Sequence, residues 1–328
     1  MKKEVEKLLQ YVQKPARYIG GELNAVVKDK DKIDIRYAFC FPDTYEIGMS
    51  HLGMKILYGL VNDREDSWCE RVFAPDNDME EQLRKNNVPL FALESGDYIK
   101  DFDMIGFTLQ YELSYTNVLN MLNLAQIPLK SSDRESLTPL ICVGGPCACN
   151  PEPITDFVDI VFLGDGEETT NQVIDLLIDC MKKGLSKKEF LLKAKDITGI
   201  YVPSFYEDSY NEDGTLKELK PLYGAPEKVK KAVVSDMNKV FYPKEFVVPY
   251  INIVHDRAVE EIFRGCIRGC RFCQAGFIYR PIREKSVETI NKQSKALIDS
   301  TGYDELSLCS LSTSDHSEVN NMLTTLID

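Results

Sequence analysis

Between residue 33 and about residue 185, short apolar runs alternate with helical patterns, and this alternation limits the possible fold more than any other feature. Apolar runs of strand length separated by helix-length segments are typical of βαβ units, whose strands form a parallel sheet. The predicted strands span residues 33–41, 69–73, 104–109, 139–143 and 158–163. Five strands with helices between them predict a flavodoxin-like, doubly wound α/β domain.

Changes in composition divide the rest of the chain. We predict an N-terminal helical extension over residues 1–32, the doubly wound domain over residues 33–206 and a linker with short strands over residues 207–250. A new strand near residue 258 opens a second α/β unit over residues 251–328. The linker begins with a polar segment rich in Asp, Glu, Asn and Gly, which is typical of a turn or hairpin tip.

The charge balance and the absence of long apolar runs narrow the class of protein. The 328 residues include 39 lysines and arginines against 52 aspartates and glutamates, a net charge of −13, which does not support nucleic acid as a partner. No run of the ~20 apolar residues that span a bilayer and no export signal is visible, so we expect a cytoplasmic protein without membrane contact. Its ten cysteines should then be reduced thiols or metal ligands.

Three of these cysteines, Cys266, Cys270 and Cys273, stand at C-x3-C-x2-C spacing in a glycine-containing loop after the strand near residue 258. Three thiolates on so short a loop can converge on zinc, cuprous copper or an iron–sulfur cluster, and the spacing alone leaves these metals open. A zinc site would need a fourth ligand close by. A three-cysteine 4Fe-4S site would leave one iron open, whereas Cys309 as a fourth ligand would favour electron transfer.

Unusual turns follow three of the predicted strands, where ligands of doubly wound sheets bind. Glycines there allow a ligand to approach the backbone and leave N–H groups free. Together these turns predict a nucleotide-like ligand rather than tight turns alone. The candidate residues are Asp43 and Gly48 after the first strand, Gly144 and Gly145 after the fourth, and Gly164 and Glu167 after the fifth.

The cysteine spacing, with an aromatic residue before the third cysteine, resembles the signature of the radical S-adenosylmethionine (SAM) superfamily. The resemblance implies a partial TIM-type barrel and a 4Fe-4S cluster whose open iron binds SAM, with reductive SAM cleavage starting radical chemistry. It also implies an electron donor of flavodoxin or ferredoxin type. The implied SAM-binding residues are Phe272 in the cluster loop and Ser310, Ser312 and Asp315 after the second barrel strand.

The turns and the cysteine triad together resemble the cobalamin (B12)-binding class of radical SAM proteins. Residues 14–22, 41–50 and 273–276 are similar to one bacterial subgroup without an assigned substrate. The resemblance implies that the six turn residues bind cobalamin and that methyl transfer is a possible reaction. The D-x-H-x-x-G string of histidine-ligated cobalamin is absent, so we expect His51 to pack or cap a helix. A scaffold that has lost cobalamin is the alternative.

The second unit holds only two βα units of a barrel that needs about six, and a full TIM barrel takes about 250 residues. We therefore expect the rest of the barrel in the same or a partner chain, and a fragment of this length need not be active alone. A wider basic patch extends from Arg264 to Lys285, and its dense part after the cluster loop, residues 279–285, predicts contact with SAM, substrate or a reductant, or else a solvated face. The substrate and the catalytic residues stay unassigned, and a non-catalytic iron–sulfur protein or a zinc-stabilised binding module are the alternative functions.

Overall fold

The structure is a computed structural model that describes residues 2–327. Its centre is a six-stranded sheet in the order β2-β1-β3-β4-β5-β6, in which β1 to β5 are parallel and β6 is antiparallel to β5. The strands are β1 (Ile35–Phe41), β2 (Ser67–Phe73), β3 (Met104–Thr108), β4 (Leu140–Gly144), β5 (Ile160–Phe162) and β6 (Ile200–Tyr201). All five predicted strands are confirmed, and with them a mixed α/β fold with a parallel sheet.

Both faces of this sheet are buried, because side chains of a strand point alternately to opposite faces. In β1, Ala38 and Cys40 belong to one hydrophobic cluster, while Tyr37 and Phe39 belong to the other. A sheet covered on both faces needs nearly continuous apolar strands, which explains the apolar runs of β3, β4 and β5. The charged side chains Arg36, Glu70 and Arg71 of β1 and β2 are paired with opposite charges. The helices that accompany the sheet are α1 (Lys3–Leu8), α2 (Tyr45–Gly48), α3 (Leu52–Asn62), α4 (Asn77–Asn86), α5 (Tyr115–Leu124), α6 (Glu167–Lys182) and α7 (Lys187–Ala194).

The C-terminal part of the chain forms smaller elements around two further apolar clusters. After an exposed hairpin, two parallel strands and a short antiparallel pair pack with α9 and α10. These elements are β7 (Tyr206–Tyr210), β8 (Leu216–Pro221), β9 (Ala258–Glu261), β10 (Phe263–Arg264), α8 (Ala275–Ile278), β11 (Arg283–Glu284), α9 (Val287–Thr301), β12 (Leu306–Cys309) and α10 (Val319–Ile327). Within residues 2–327, none of the helices has the length and apolar character needed to cross a bilayer.

The turn after β5 joins the sheet to the segment that leads into the C-terminal part. Gly164 has φ +99° and pairs with Ala232 as an isolated parallel bridge. A Cβ at this glycine would lie 2.1 Å from the carbonyl oxygen of Ala232. Only glycine therefore allows the linker to lie against the end of β5.

We expect Gly164→Ala to lower the free energy of unfolding by roughly 2–4 kcal/mol, because it adds a backbone clash to the strain of positive φ. Gly184→Ala is the matched control, since Gly184 has φ +64° but no atom within 4 Å of its Cβ position. Urea unfolding of both variants measures the difference. Equal losses of unfolding free energy in the two variants would mean that the contact with Ala232 does not contribute to stability.

Candidate functional site

A cavity of about 370 Å³ lies at the carboxyl ends of the parallel strands. Its volume is in the lower part of the ~300–1,000 Å³ range of small-molecule sites. Apolar walls come from the sheet, among them Phe39, Phe107 and Phe162, and the opposite wall comes from the C-terminal part, including Phe263 and Leu311. The site is therefore formed by both parts of the chain.

The structure brings four of the six predicted turn residues into the cavity wall: Gly144, Gly145, Gly164 and Glu167. Gly145 has φ +100°, and a Cβ there would lie 2.7 Å from the carbonyl oxygen of Leu109. These glycines keep the backbone close to neighbouring segments and leave the edge of the sheet open to the cavity.

Asp43 and Gly48 are not in the cavity wall. Asp43 accepts a hydrogen bond from the hydroxyl of Tyr111 at 3.2 Å, so it stabilises a loop contact. A Cβ on Gly48 would lie 2.3 Å from the ring of Phe73. Close packing of α2 against β2 explains this glycine, and the structure gives it no contact with the cavity.

The cysteine triad lies on the loop between β10 and α8, beside the cavity but outside its wall. Cys270 is exposed, and Cys266 and Cys273 are partly exposed. The backbone N–H of Arg268 donates to the Cys266 sulfur at 3.5 Å. Among the described residues, no three His, Cys, Asp or Glu side chains are gathered as metal ligands. The three thiols are accessible soft donors on one loop, and metal binding would require the three sulfur atoms to move closer together.

Of the predicted SAM residues, Phe272 lies in this loop, and Ser310, Ser312 and Asp315 follow β12. Ser310 lines the cavity, whereas the ring of Phe272 is 92% exposed. Asp315 accepts hydrogen bonds from Ser312 at 2.5 Å and from Arg268 Nε at 2.7 Å. The Asp315 carboxylate thus ties the cluster loop to the turn after β12, and these two contacts hold its pKa below the usual range. Cys309 lines the cavity, which the triad does not.

The predicted anion-binding role of residues 279–285 is wrong for Arg283 and Lys285, and so is the solvated face, because their charges are paired inside the molecule. Arg264 of the wider basic patch is paired in the same way. Lys285 donates to Glu260 at 2.7 Å, and both side chains are fully buried. Arg264 and Arg283 are 12% and 7% exposed and contact carboxylates where β5 turns into α6. Burial of a charge requires such a partner, which removes these side chains from external anions.

Arg264 directly precedes the cluster loop and contacts three carboxylates. Its guanidinium donates to Glu167 at 2.5 and 3.2 Å and to Glu261 at 2.9 Å, and lies 3.2 Å from Asp165. Burial lowers the pKa of Arg264, but the charges of Glu261 and Glu167 outweigh it and raise the pKa above its usual value. Sequence reasoning missed Arg264 and Asp165 as a pair, although both stand next to the motifs that it identified.

His51 caps α3, as the sequence predicts. Its Nδ1 accepts a hydrogen bond from the Met54 backbone N–H at 3.1 Å, so Nε2 carries the proton of the neutral ring. The ring lines the cavity, and burial lowers its pKa to about 4. A neutral ring with a protonated Nε2 is not a metal ligand in this tautomer.

Residues 53–203 match the family of radical SAM proteins, N-terminal. The matched segment covers α3 through β6 of the sheet and ends before the cysteine triad. An uncharacterized protein of Methanocaldococcus jannaschii is 26% identical over 261 residues, which is 77% of this chain and 44% of that protein. The chain thus spans less than half the length of the curated relative.

Two solved structures of the radical SAM methyltransferase TsrM from Kitasatospora setae are similar in fold at 10% identity. One holds cobalamin and a [4Fe-4S] cluster. The similar region spans 89% of this chain and 50% of that chain, with a TM-score of 0.52. The other holds tryptophan substrate and the SAM analogue aza-SAM, with coverages of 89% and 51% and a TM-score of 0.50. The likeness covers the sheet and the C-terminal part together, and at this identity it concerns the fold alone.

We expect His51 to make the fold less stable in acid. Its pKa of about 4 lies below the unfolded value of ~6.5, so the unfolded state binds more protons between these pH values. Stability is then lost as pH falls from about 6.5 towards 4. His51→Asn keeps a capping side chain and should reduce that loss by roughly 1–3 kcal/mol. Urea unfolding at pH 7 and pH 4.5 tests this, and parallel curves for both proteins would contradict it.

Proposed function

We propose that the chain is part of a radical SAM enzyme that binds a 4Fe-4S cluster on Cys266, Cys270 and Cys273. The observation that carries the proposal is the position of the cavity. It lies between the carboxyl ends of the parallel strands and the segment from Glu261 to Gly265, which leads directly into the cysteine loop. A ligand in this cavity would therefore lie next to a cluster on the loop.

The donor set fits such a cluster. Its three thiols lie within eight residues, and the flanking glycines Gly265 and Gly269, with φ of +93° and +62°, give the loop a conformation that other residues rarely adopt. Three thiolates would leave one iron without a protein ligand. A bound cluster supplies the electron that cleaves SAM, and a bound cobalamin supplies a methyl carrier.

The chain's own residues would position the ligands and exclude water. Ser310 on the cavity wall is the proposed SAM contact, and the Ser312–Asp315 pair orients Arg268 of the cluster loop. The proposed contact of Phe272 with SAM would require its exposed ring to move inward or to be covered. The phenylalanines of the cavity provide the apolar surroundings that limit side reactions of a radical with water.

We propose cobalamin as the ligand of the cavity. The sheet order β2-β1-β3-β4-β5 is that of flavodoxin-like domains, whose ligands bind at the switch point beside β1 and β3. Because His51 caps α3 through Nδ1, cobalamin would bind without a protein histidine. Gly144, Gly145 and Gly164 would then contact the ligand through their backbone. The reaction would be methyl transfer or a radical rearrangement on a substrate that the residues do not identify.

The proposal includes partners that complete the enzyme. The parallel pair β9–β12 has no further strand on either edge within residues 2–327. Strands from the same or a partner chain would extend it into a barrel, since open strand edges carry unpaired backbone groups. An electron donor of flavodoxin or ferredoxin type would reduce the cluster.

Serine at Cys266, Cys270 or Cys273 should strongly reduce the iron and visible absorbance retained after anaerobic reconstitution, because a hydroxyl replaces a soft thiolate ligand. Cys309→Ser is the control and should retain both. Equal loss in Cys309→Ser would indicate a four-thiolate electron-transfer site, and retention of zinc instead of iron would indicate a zinc-stabilised module. Formation of 5'-deoxyadenosine with dithionite and SAM tests the radical chemistry directly.

Leu57→Trp should weaken the retention of hydroxocobalamin by about tenfold or more, because Leu57 of α3 lines the cavity and the larger side chain would fill part of it. The iron content should stay unchanged. Ile47→Trp is the matched control, since Ile47 is 44% exposed and outside the cavity wall. Gel filtration followed by absorbance measures the retained corrinoid. Absence of retention by the unchanged protein would rule out cobalamin.

A further inference from the structure

Two arginines enclose the segment that carries the cysteine triad, and both contact one carboxylate of the sheet. Arg264 precedes the cluster loop and lies 3.2 Å from Asp165 Oδ1. Arg283 follows α8 and donates to Asp165 Oδ2. Asp165 belongs to the turn between β5 and α6 and lines the cavity. Both ends of the cysteine segment are thus held at one point of the cavity wall.

The pairing of β10 with β11 makes this carboxylate necessary. In that antiparallel pair Arg264 stands directly opposite Arg283, and like charges in this position repel each other. Both guanidinium groups are mostly buried, so water screens the repulsion little. Among the described residues, Asp165 is the acidic side chain that contacts both of them, while Glu167 and Glu261 contact Arg264.

Asp165 is itself fixed by the backbone around it. Its side chain accepts a hydrogen bond from the Val234 N–H at 2.8 Å, and its own N–H donates to the Ala232 carbonyl at 3.0 Å. Arg283 also donates to the Val234 carbonyl at 3.1 Å. The carboxylate therefore has a defined position relative to the sheet, the linker and both arginines.

We propose that Asp165 is a positioning residue that sets the cluster loop relative to the cavity by holding Arg264 and Arg283. The inference rests on the proposed function for the identity of the two ligands, but the hold on the loop is a property of the chain alone. Loss of the Asp165 charge should release both ends of the segment 264–283. The cluster loop would then no longer keep a fixed position relative to the cavity.

The first test uses the metal-free chain with Asp165→Asn, which keeps the shape of the side chain and an acceptor for Val234. Trypsin cleavage after Arg264 and after Arg283, resolved by mass spectrometry, should become about tenfold faster or more, because loss of a charged contact releases the arginines. Cleavage after the exposed Arg271 is the internal reference and should change little. Unchanged cleavage after both held arginines would overturn the proposal.

Glu305→Gln is the matched control. It also converts a carboxylate into an amide next to an arginine, at the starts of β9 and β12, where Glu305 lies 3.6 Å from Arg257 in an exposed pair. Its cleavage pattern should equal that of the unchanged chain. Asp165→Glu restores the charge and should recover much of the protection. If Asp165→Asn fails to fold, Arg283→Lys tests the same hold, because lysine lacks the fork that contacts Asp165 through Nη1 while Nε and Nη2 donate to the carbonyls of Pro281 and Tyr279.

The second test measures hydroxocobalamin binding with and without the reconstituted cluster. In the unchanged chain and in Glu305→Gln, the cluster should alter the dissociation constant about threefold or more, and in Asp165→Asn this factor should approach one. A factor that persists in Asp165→Asn, or is already one in the unchanged chain, would overturn the coupling. If the unchanged chain retains no corrinoid or iron, the proposed function fails, and the trypsin test alone decides the role of Asp165.

Discussion

The parallel direction of β1 to β5 is the constraint on which the site depends. Because these strands run the same way, their carboxyl ends meet at one edge of the sheet, and turns far apart in sequence become neighbours. The turn after β4 and the turn after β5 form one wall of the cavity in this way. A parallel sheet also requires cover on both faces, which the two hydrophobic clusters provide.

The charged side chains next to this cavity form ion pairs within the protein. Asp165, Glu167 and Glu261 surround two arginines, and all five side chains are at most 16% exposed. A buried charge is stable only when a partner compensates for the lost hydration. The turn after β5 therefore connects the sheet to the cysteine segment through ion pairs as well as through the backbone contact of Gly164.

Much of the fold could be predicted because its signals are local. Most strands of the sheet are apolar runs bounded by turn residues, and the helices between them have their own periodic pattern. The exception is β2, which includes Glu70 and Arg71. The cysteine triad is equally local, since its three members lie within one loop. The capping role of His51 was also predictable, because it requires only the residues at the start of α3.

Contacts between distant segments were not predictable from these patterns. Asp43 and Gly48 follow a strand as Gly144 and Gly145 do, yet Gly48 packs against Phe73 and lies outside the cavity wall. The basic patch looked like a surface for anions, although Arg264 and Arg283 have partners about a hundred residues away, where β5 turns into α6.

The sequence by itself determined the parallel α/β sheet, the glycine turns and the grouping of three thiols, because each depends on residues that are neighbours along the chain. Only the tertiary structure decided which turns face the cavity and which charges are buried. It did so because packing of the C-terminal part against the sheet removes specific side chains from water, and the buried Arg264 and Arg283 then need the carboxylates of Asp165 and Glu167 across that contact.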